Sequence, residues 1–238
     1  MPIHPLDISA EKTSILRNPL RYDGAEFGNP ELLAEPSQLI SRFSALHPGL
    51  AQQKPLNQWD ALATLASIDL AAARIVEPHL DAQIIADEAG LAELTQEGTW
   101  GVFAAERGGM RLLAHPQDDG NFLLDGHKPW CSLAAQLSHA IVSAEIEGQR
   151  QTFAVELAAP YVIPDDDPWV ARGLQEIPSG SAHFYDAPAT AVGAPQWYLE
   201  RAGFAWGGIR VSACWFGGAL GMTQVALAKA QKSSKTSA

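Results

Sequence analysis

Basic side chains are scarce in this chain. Sixteen lysines and arginines stand against 27 aspartates and glutamates, a formal net charge of -11. Such a chain repels phosphate backbones, which speaks against general nucleic-acid binding. Cysteine is scarcer still: only Cys131 and Cys214, with no Cys-x-x-Cys, and the seven histidines form no His-x-x-x-His pair. No metal site is expected from those spacings. The first residues, MPIHPLDISAEKTSILR, carry charges and prolines where a signal peptide has an apolar run. A cytoplasmic chain with free thiols is the expectation. No run of about 18 uninterrupted apolar residues occurs, so no membrane span is expected. What is present is enough for a core: 238 residues, 47% hydrophobic and 18% charged, the size of one large domain or two small ones.

The chain reads in three parts. Residues 1–98 read as a helical domain. Leu32, Leu33, Leu39, Ile40 and Phe43 keep a helical rhythm that Pro36 interrupts and His47-Pro48-Gly49 ends. The strongest helix signal follows. Asn57 can cap it, and Trp59, Leu62, Leu65, Ala66, Leu70, Ala73, Ile75 and Val76 recur at three- and four-residue steps, predicting one helix over 58–76. Pro78 is expected to kink or break it, and a further turn or two should stop at Gly90.

Residues 99–194 change character. Short apolar runs at 100–105, 111–114, 122–124, 139–144, 152–157 and 182–185 are separated by clusters such as Asp118-Asp119-Gly120, Asp125-Gly126 and Glu147-Gly148. That spacing predicts an antiparallel barrel or sandwich. The acid run Asp165-Asp166-Asp167 lacks the ligand spacing of a calcium loop and reads as a solvated turn. Residues 195–238 predict one long helix over 198–230 and a polar tail. Its Gly207-Gly208 and Gly217-Gly218 pairs, each costly in a helix interior, make sense where another helix or a ligand comes close.

Asp125-Gly126-His127-Lys128-Pro129-Trp130-Cys131-Ser132 resembles the acyl-CoA dehydrogenase signature Gly-x-Lys-x-Trp followed by a small residue and Thr or Ser. His139 to Ala144 resembles the strand after it, and Val102-Phe103-Ala104-Ala105-Glu106 stands where that family has Ala-x-Thr-Glu-Pro. Gly173-Leu174, Gly180 to Tyr185 and Val192-Gly193 resemble the stretch before its last helical domain. The resemblance runs from about residue 55 to 230. It implies an α+β chain: a helical N-terminal domain, an antiparallel β-barrel middle domain, and a C-terminal helix without the full four-helix bundle. It also implies FAD and α,β-dehydrogenation of an acyl-CoA or related thioester.

Carried over residue by residue, the resemblance puts flavin contact at Val102, Ala104, Ala105, Trp130 and Ser132. An indole offers a flat face and one N–H donor. Ser132, two residues on, falls on the same side of a strand. Ring and hydroxyl together can then cover a flavin and donate to an N5 or O4 acceptor. Ala105 stands where the family has threonine, which removes a hydroxyl. Met110 and Arg111 replace its Gly-Ser. Arg107 and Arg111 read equally as solvated strand-end charges or as partners of a phosphate. His79 reads as a packed or solvent-facing helix residue.

The catalytic base is missing from the matching position. Gly207-Gly208-Ile209-Arg210 has the arginine but no acid beside it, and Glu200 lies two or three turns earlier. Three readings stay open: an FAD-dependent acyl-CoA dehydrogenase that needs a partner subunit or further copy, a non-catalytic binding module, and a related flavin monooxygenase. If the last helix stands without its bundle, Trp206, Val211, Trp215, Phe216, Leu220, Met222, Val225 and Leu227 are expected to leave an exposed apolar patch.

Overall fold

The computed structural model describes residues 23–158, 160–165 and 169–236. The stretch read for a signal peptide, and Asp166 and Asp167 of the acid run, lie outside the described residues. Five helices lead: α1 Gly24–Phe27, α2 Pro30–Leu33, α3 Pro36–Leu46, α4 Pro55–Ile68 and α5 Leu70–Glu88. Asp23 and Asn29 cap the first two through their side-chain oxygens.

The predicted helix over 58–76 is in fact two, and the break is not at Pro78. Asp69 adopts an extended conformation (φ -147°, ψ 122°), and its side chain accepts from the N–H of Ala72, capping α5. Pro78 then sits inside a continuous α5. It costs that helix one N–H donor, but Ile75, Val76, Leu80, Ile84 and Ile85 are all buried around it, so packing holds the turn closed. The start of α4 is also earlier than Asn57: Pro55 takes the first helical position. Gly90, at φ +74°, follows the end of α5 as expected.

Seven strands follow: β1 Trp100–Phe103, β2 Leu112–Pro116, β3 Phe122–Lys128, β4 His139–Ile146, β5 Gln149–Glu156, β6 Val162–Pro164 and β7 Ala182–Val192. β4, β2, β3, β7 and β5 pair in that order, and β5 pairs back with β4, closing a barrel. β1 extends the same edge of β4, and β6 lies on β7. The barrel is not purely antiparallel as predicted. β1 and β2 both run parallel to β4, because the β2–β3 hairpin separates β1 from β4 and supplies the long crossover that parallel pairing requires. Phe103, Leu124, Val142, Phe153 and Phe184 fill the barrel interior. A separate layer of Ile85, Trp100, Ile141, Val192 and Tyr198 joins its outer face to α5.

The C-terminal segment divides at Arg201-Ala202 into α6 Trp197–Glu200 and α7 Gly203–Thr236. α7 lies along α4 and α5. A methyl group on Gly217 or Gly221 would run into the carbonyl oxygens of Ala63 and Ser67, so these glycines set the close approach of α4 and α7. By length and composition, Gly203–Gln231 would suffice to cross a membrane. Arg210 and Gln224 break its apolar run, so no uninterrupted stretch of about 18 apolar residues occurs within it. Its inner face is nevertheless docked on the helical layer, and Arg210, 1% exposed, is ion-paired there with Asp81 of α5. On the outer face Trp206, Trp215, Phe216, Met222, Val225 and Leu227 are exposed, while Val211 and Leu220 are half-buried.

Candidate functional site

The Gly-x-Lys-x-Trp segment sits where β3 leaves the barrel. The β3–β7 register shifts between Leu124 and Gly126. Gly126 has φ +124°, and a Cβ there would collide with the carbonyl oxygen of Arg111. Only glycine fits this bulge. Two residues on, the buried Lys128 donates from Nζ to Ser143 Oγ at 2.7 Å. Burial lowers the lysine pKa to about 8. Ser143 Oγ donates in turn to the carbonyl of Ala104 at 3.4 Å, and Arg150 donates to both groups. In the sheet, β1 pairs with β4, and β3 with β2 and β7, so the two stretches of flavin-contact residues are not on paired strands. Ser143 nevertheless ties the end of β1, at Ala104, to the end of β3, at Lys128.

After Pro129 the chain turns sharply. Trp130 has φ +59° and Leu133 φ +61°, the left-handed region that a bulky residue seldom adopts, at a cost of about 1–3 kcal/mol. The strand alternation expected for Trp130 and Ser132 therefore does not apply; the segment is a loop. Three bonds pin it to the segment before β7. Cys131 N–H donates to Gly180 O at 2.7 Å, Leu133 N–H donates to Pro178 O at 2.8 Å, and the Ser132 and Ser179 hydroxyls lie 2.7 Å apart. The Ser179 hydroxyl donates to Ile177 O at 3.1 Å, so its single proton is committed and Ser132 is the donor of the pair. Cys131 points inward, and burial pushes its thiol up to about 12, leaving it protonated and unreactive. The turn presents Trp130 outward, 48% exposed.

The other predicted residues divide. Val102 and Ala104 are half-buried in the layer between barrel, α5 and α6, with Trp197 beside them; Ala105 is exposed. Beside this segment opens a cleft of about 460 Å³ lined by Glu106–Leu112, His127–Pro129, Ser143–Glu145, Gly148–Arg150 and Gln196. It holds four cations and two acids. Arg150 pairs with Glu106 at 3.0 Å and Arg111 with Glu145 at 2.5 Å. Among the described residues Arg107 forms no ion pair, so Arg107 and Lys128 leave the cleft a positive surplus in an acidic chain. Sequence reasoning missed Ser143 and Arg150. The one available signal was a serine inside the apolar run His139–Ala144.

Two residues weighed in the sequence prove structural. His79 is buried on α5. Its Nδ1 accepts from Trp100 N–H at 3.3 Å, and burial lowers its pKa to about 4. Arg210 bonds Asp81 and, at 3.1 Å, the side-chain oxygen of Gln58. Its head is enclosed between α7, α5 and α4, and Glu200 lies on α6, off the helix that carries Arg210.

No family model matches the chain. Over 147 residues it is 26% identical to dibenzothiophene monooxygenase of Rhodococcus erythropolis, taking in 58% of this chain and 34% of that enzyme. Among solved structures, KijD3 with FMN and dTDP-3-amino-2,3,6-trideoxy-4-keto-3-methyl-D-glucose superposes with a TM-score of 0.64 at 17% identity, over 95% of this chain and 64% of the other. FMN-bound TdsC from Paenibacillus sp. A11-2 gives 0.61 at 21% identity, over 78% and 53%. Butyryl-CoA dehydrogenase from Megasphaera elsdenii gives 0.56 at 18%, over 98% and 70%. The chain thus spans about a third of the length of the curated relatives it matches. Helical layer, closed barrel and one long α7 together give this chain the fold of the acyl-CoA dehydrogenase-type flavoproteins.

Proposed function

We propose that this chain forms the barrel side of a flavin site and works in flavin-dependent monooxygenation. The observation that carries the flavin reading is Trp130, held in a strained left-handed turn with its ring outward, one residue after Pro129, which lines the cationic cleft. A half-exposed indole on a pinned loop is a preformed wall for a planar ring. Strain at an aromatic residue is worth keeping where the exposed face is used. Ser132, now donating to Ser179, can donate to a flavin heteroatom after one rotation about χ1. Arg107 and Lys128, the cations left over in the cleft, suit a phosphate.

Bound flavin supplies the redox chemistry, and the residues of this chain orient and cover it. Within the fold, monooxygenation is favoured over thioester dehydrogenation by Arg210. Its guanidinium is buried against Asp81 and Gln58, and among the described residues no unpaired carboxylate stands beside it to take an α-proton. The identity to dibenzothiophene monooxygenase, and FMN in two of the similar structures, point the same way and favour FMN over FAD. The exposed apolar residues of α7, in this reading, are covered by further helices.

Equilibrium dialysis of the full chain against FMN, FAD and riboflavin tests the proposal. Retention of FMN ahead of riboflavin, with visible flavin bands, is expected. A chain that retains none of the three contradicts a flavin site.

A further inference from the structure

His127, in the variable position of Gly-x-Lys, has a role outside the flavin reading. It lies directly opposite His183 across the β3–β7 ladder, and the two imidazoles stack with centroids 4.0 Å apart. Side chains directly opposite on an antiparallel pair project from one face about 5 Å apart. Asp165, just past β6, comes between them: its Oδ2 lies 3.0 Å from His127 Nε2 and its Oδ1 lies 3.4 Å from His183 Nε2. We propose that His127, Asp165 and His183 bind a divalent transition-metal ion of the Zn²⁺ type, clamping β3, β7 and the end of β6.

The donor set and its spacing carry this. The three ligand atoms all lie within 4.8 Å of one another. Zinc–nitrogen and zinc–oxygen bonds of about 2.0–2.1 Å at tetrahedral angles require donors roughly 3.3 Å apart. Asp165 already meets that distance to both histidines. The rings, now stacked 8° from parallel, must rotate out of the stack so that their Nε2 lone pairs converge, and the ion then replaces the proton shared with the carboxylate. Two imidazoles and one carboxylate suit zinc and its neighbours rather than magnesium or calcium, which prefer oxygen alone.

An outer partner is also built. The Ser181 hydroxyl donates to Asp165 Oδ2, fixing the carboxylate as such partners do around bound metals. All three ligand residues are half-buried, so an ion can enter and keep a fourth position for water. The pairing was invisible in the sequence because its members are 38 and 18 residues apart and meet only through the barrel register. Asp165, at the head of the acid run, supplies one ligand.

The test uses the untagged full chain, stripped with chelator and dialysed against ZnCl₂. One tight equivalent is expected, together with a rise in Tm on zinc addition. His183→Ala and Asp165→Ala should each weaken binding at least tenfold. His115→Ala, at the exposed end of β2, should leave it unchanged. Co²⁺ on the unmutated chain gives a second readout that does not depend on any variant folding: intense visible bands mark a four-coordinate site. Millimolar or weaker binding with no such bands, or tight binding that survives both His183→Ala and Asp165→Ala in folded protein, overturns the proposal.

Discussion

Two clusters of charge in the same fold are finished differently. Between α5 and α7, Arg210 and Arg201 are buried and matched. Arg210 meets Asp81 and Gln58, and Arg201 meets Glu88 at 2.7 Å with its guanidinium over the Tyr198 ring. At the barrel end, Arg150 and Arg111 are matched by Glu106 and Glu145, but Arg107 is left over and Trp130 faces out. In the closed cluster both arginines are ion-paired and hold α7 to the domain, although the Nε of each stays buried without a hydrogen-bond partner among the described residues. The open one has a wall and surplus charge but no partner for them. An arginine in a family-like motif is therefore not by itself a functional residue: Arg210 belongs to the scaffold, whereas the site is marked by what the fold leaves unmatched.

Breaking the closed cluster should have the largest effect. Arg210→Met removes the cation that neutralises buried Asp81. Losing one partner of a buried pair costs about 3–5 kcal/mol, and Arg201, 3.9 Å from Asp81, should keep the loss near the lower figure. Thermal denaturation should show a large fall in Tm. An unchanged Tm would mean that α7 is not held there.

The same helical layer carries two opposed titrations. His79 has a folded pKa of about 4 against 6.5, so the unfolded chain holds the extra proton between those values. Its contribution is full above 6.5 and lost as pH falls through 4. Glu77 is pushed up to about 7 from 4.5, chiefly by burial. The folded chain then holds the extra proton, and that contribution is lost as pH rises from 4.5 through 7. Each amounts to roughly 3 kcal/mol, so the two nearly cancel where their windows overlap. His79→Asn keeps an acceptor for Trp100 N–H but no titration, so its stability should fall steeply as pH rises through that window. Glu77→Gln should instead lose stability on acidification, on top of a constant offset from Arg74. Denaturant midpoints measured across pH for the three proteins would check both slopes. Parallel profiles would refute the opposition.

The smallest expected effect concerns the open cluster. Arg107→Ala should weaken FMN about three- to tenfold, as befits one exposed cation on a phosphate, and leave riboflavin affinity and Tm unchanged. Salt should shrink the difference. Equal losses for FMN and riboflavin would place Arg107 away from the phosphate.

How far these regions could be read from the sequence follows from what each depends on. Strand positions were legible because apolar runs and Asp-Gly or Glu-Gly turns are local signals; the runs at 139–144 and 152–157 lie within or largely within β4 and β5. β6 escaped notice because three residues ending in a proline carry no alternation. Pro78 announces a helix break in the sequence, whereas the actual break at Asp69 acts through a capping bond to Ala72 that the sequence does not display. The strand pairing that makes β1 parallel to β4 is a property of topology. At the site, Gly126, Lys128 and Trp130 were legible as a motif. Ser143 and Arg150 were not, since nothing local says that a serine on β4 will join the ends of β1 and β3. Trp130 was placed on a strand, and its outward turn comes from bonds to Pro178 and Gly180, nearly fifty residues on.

The central claim is that the left-handed turn at Trp130 presents the wall of a flavin site. Its most direct test is FMN titration of the full chain beside Trp130→Ala, followed by the change in the visible flavin spectrum. Loss of one aromatic face should weaken binding by about 1–3 kcal/mol, roughly 5- to 150-fold, with Tm nearly unchanged because Trp130 is half exposed and alanine, which also carries a Cβ, keeps the strain of the left-handed turn. Trp130→Phe should recover much of the affinity. FMN binding of equal strength and identical spectrum in Trp130→Ala would contradict the account.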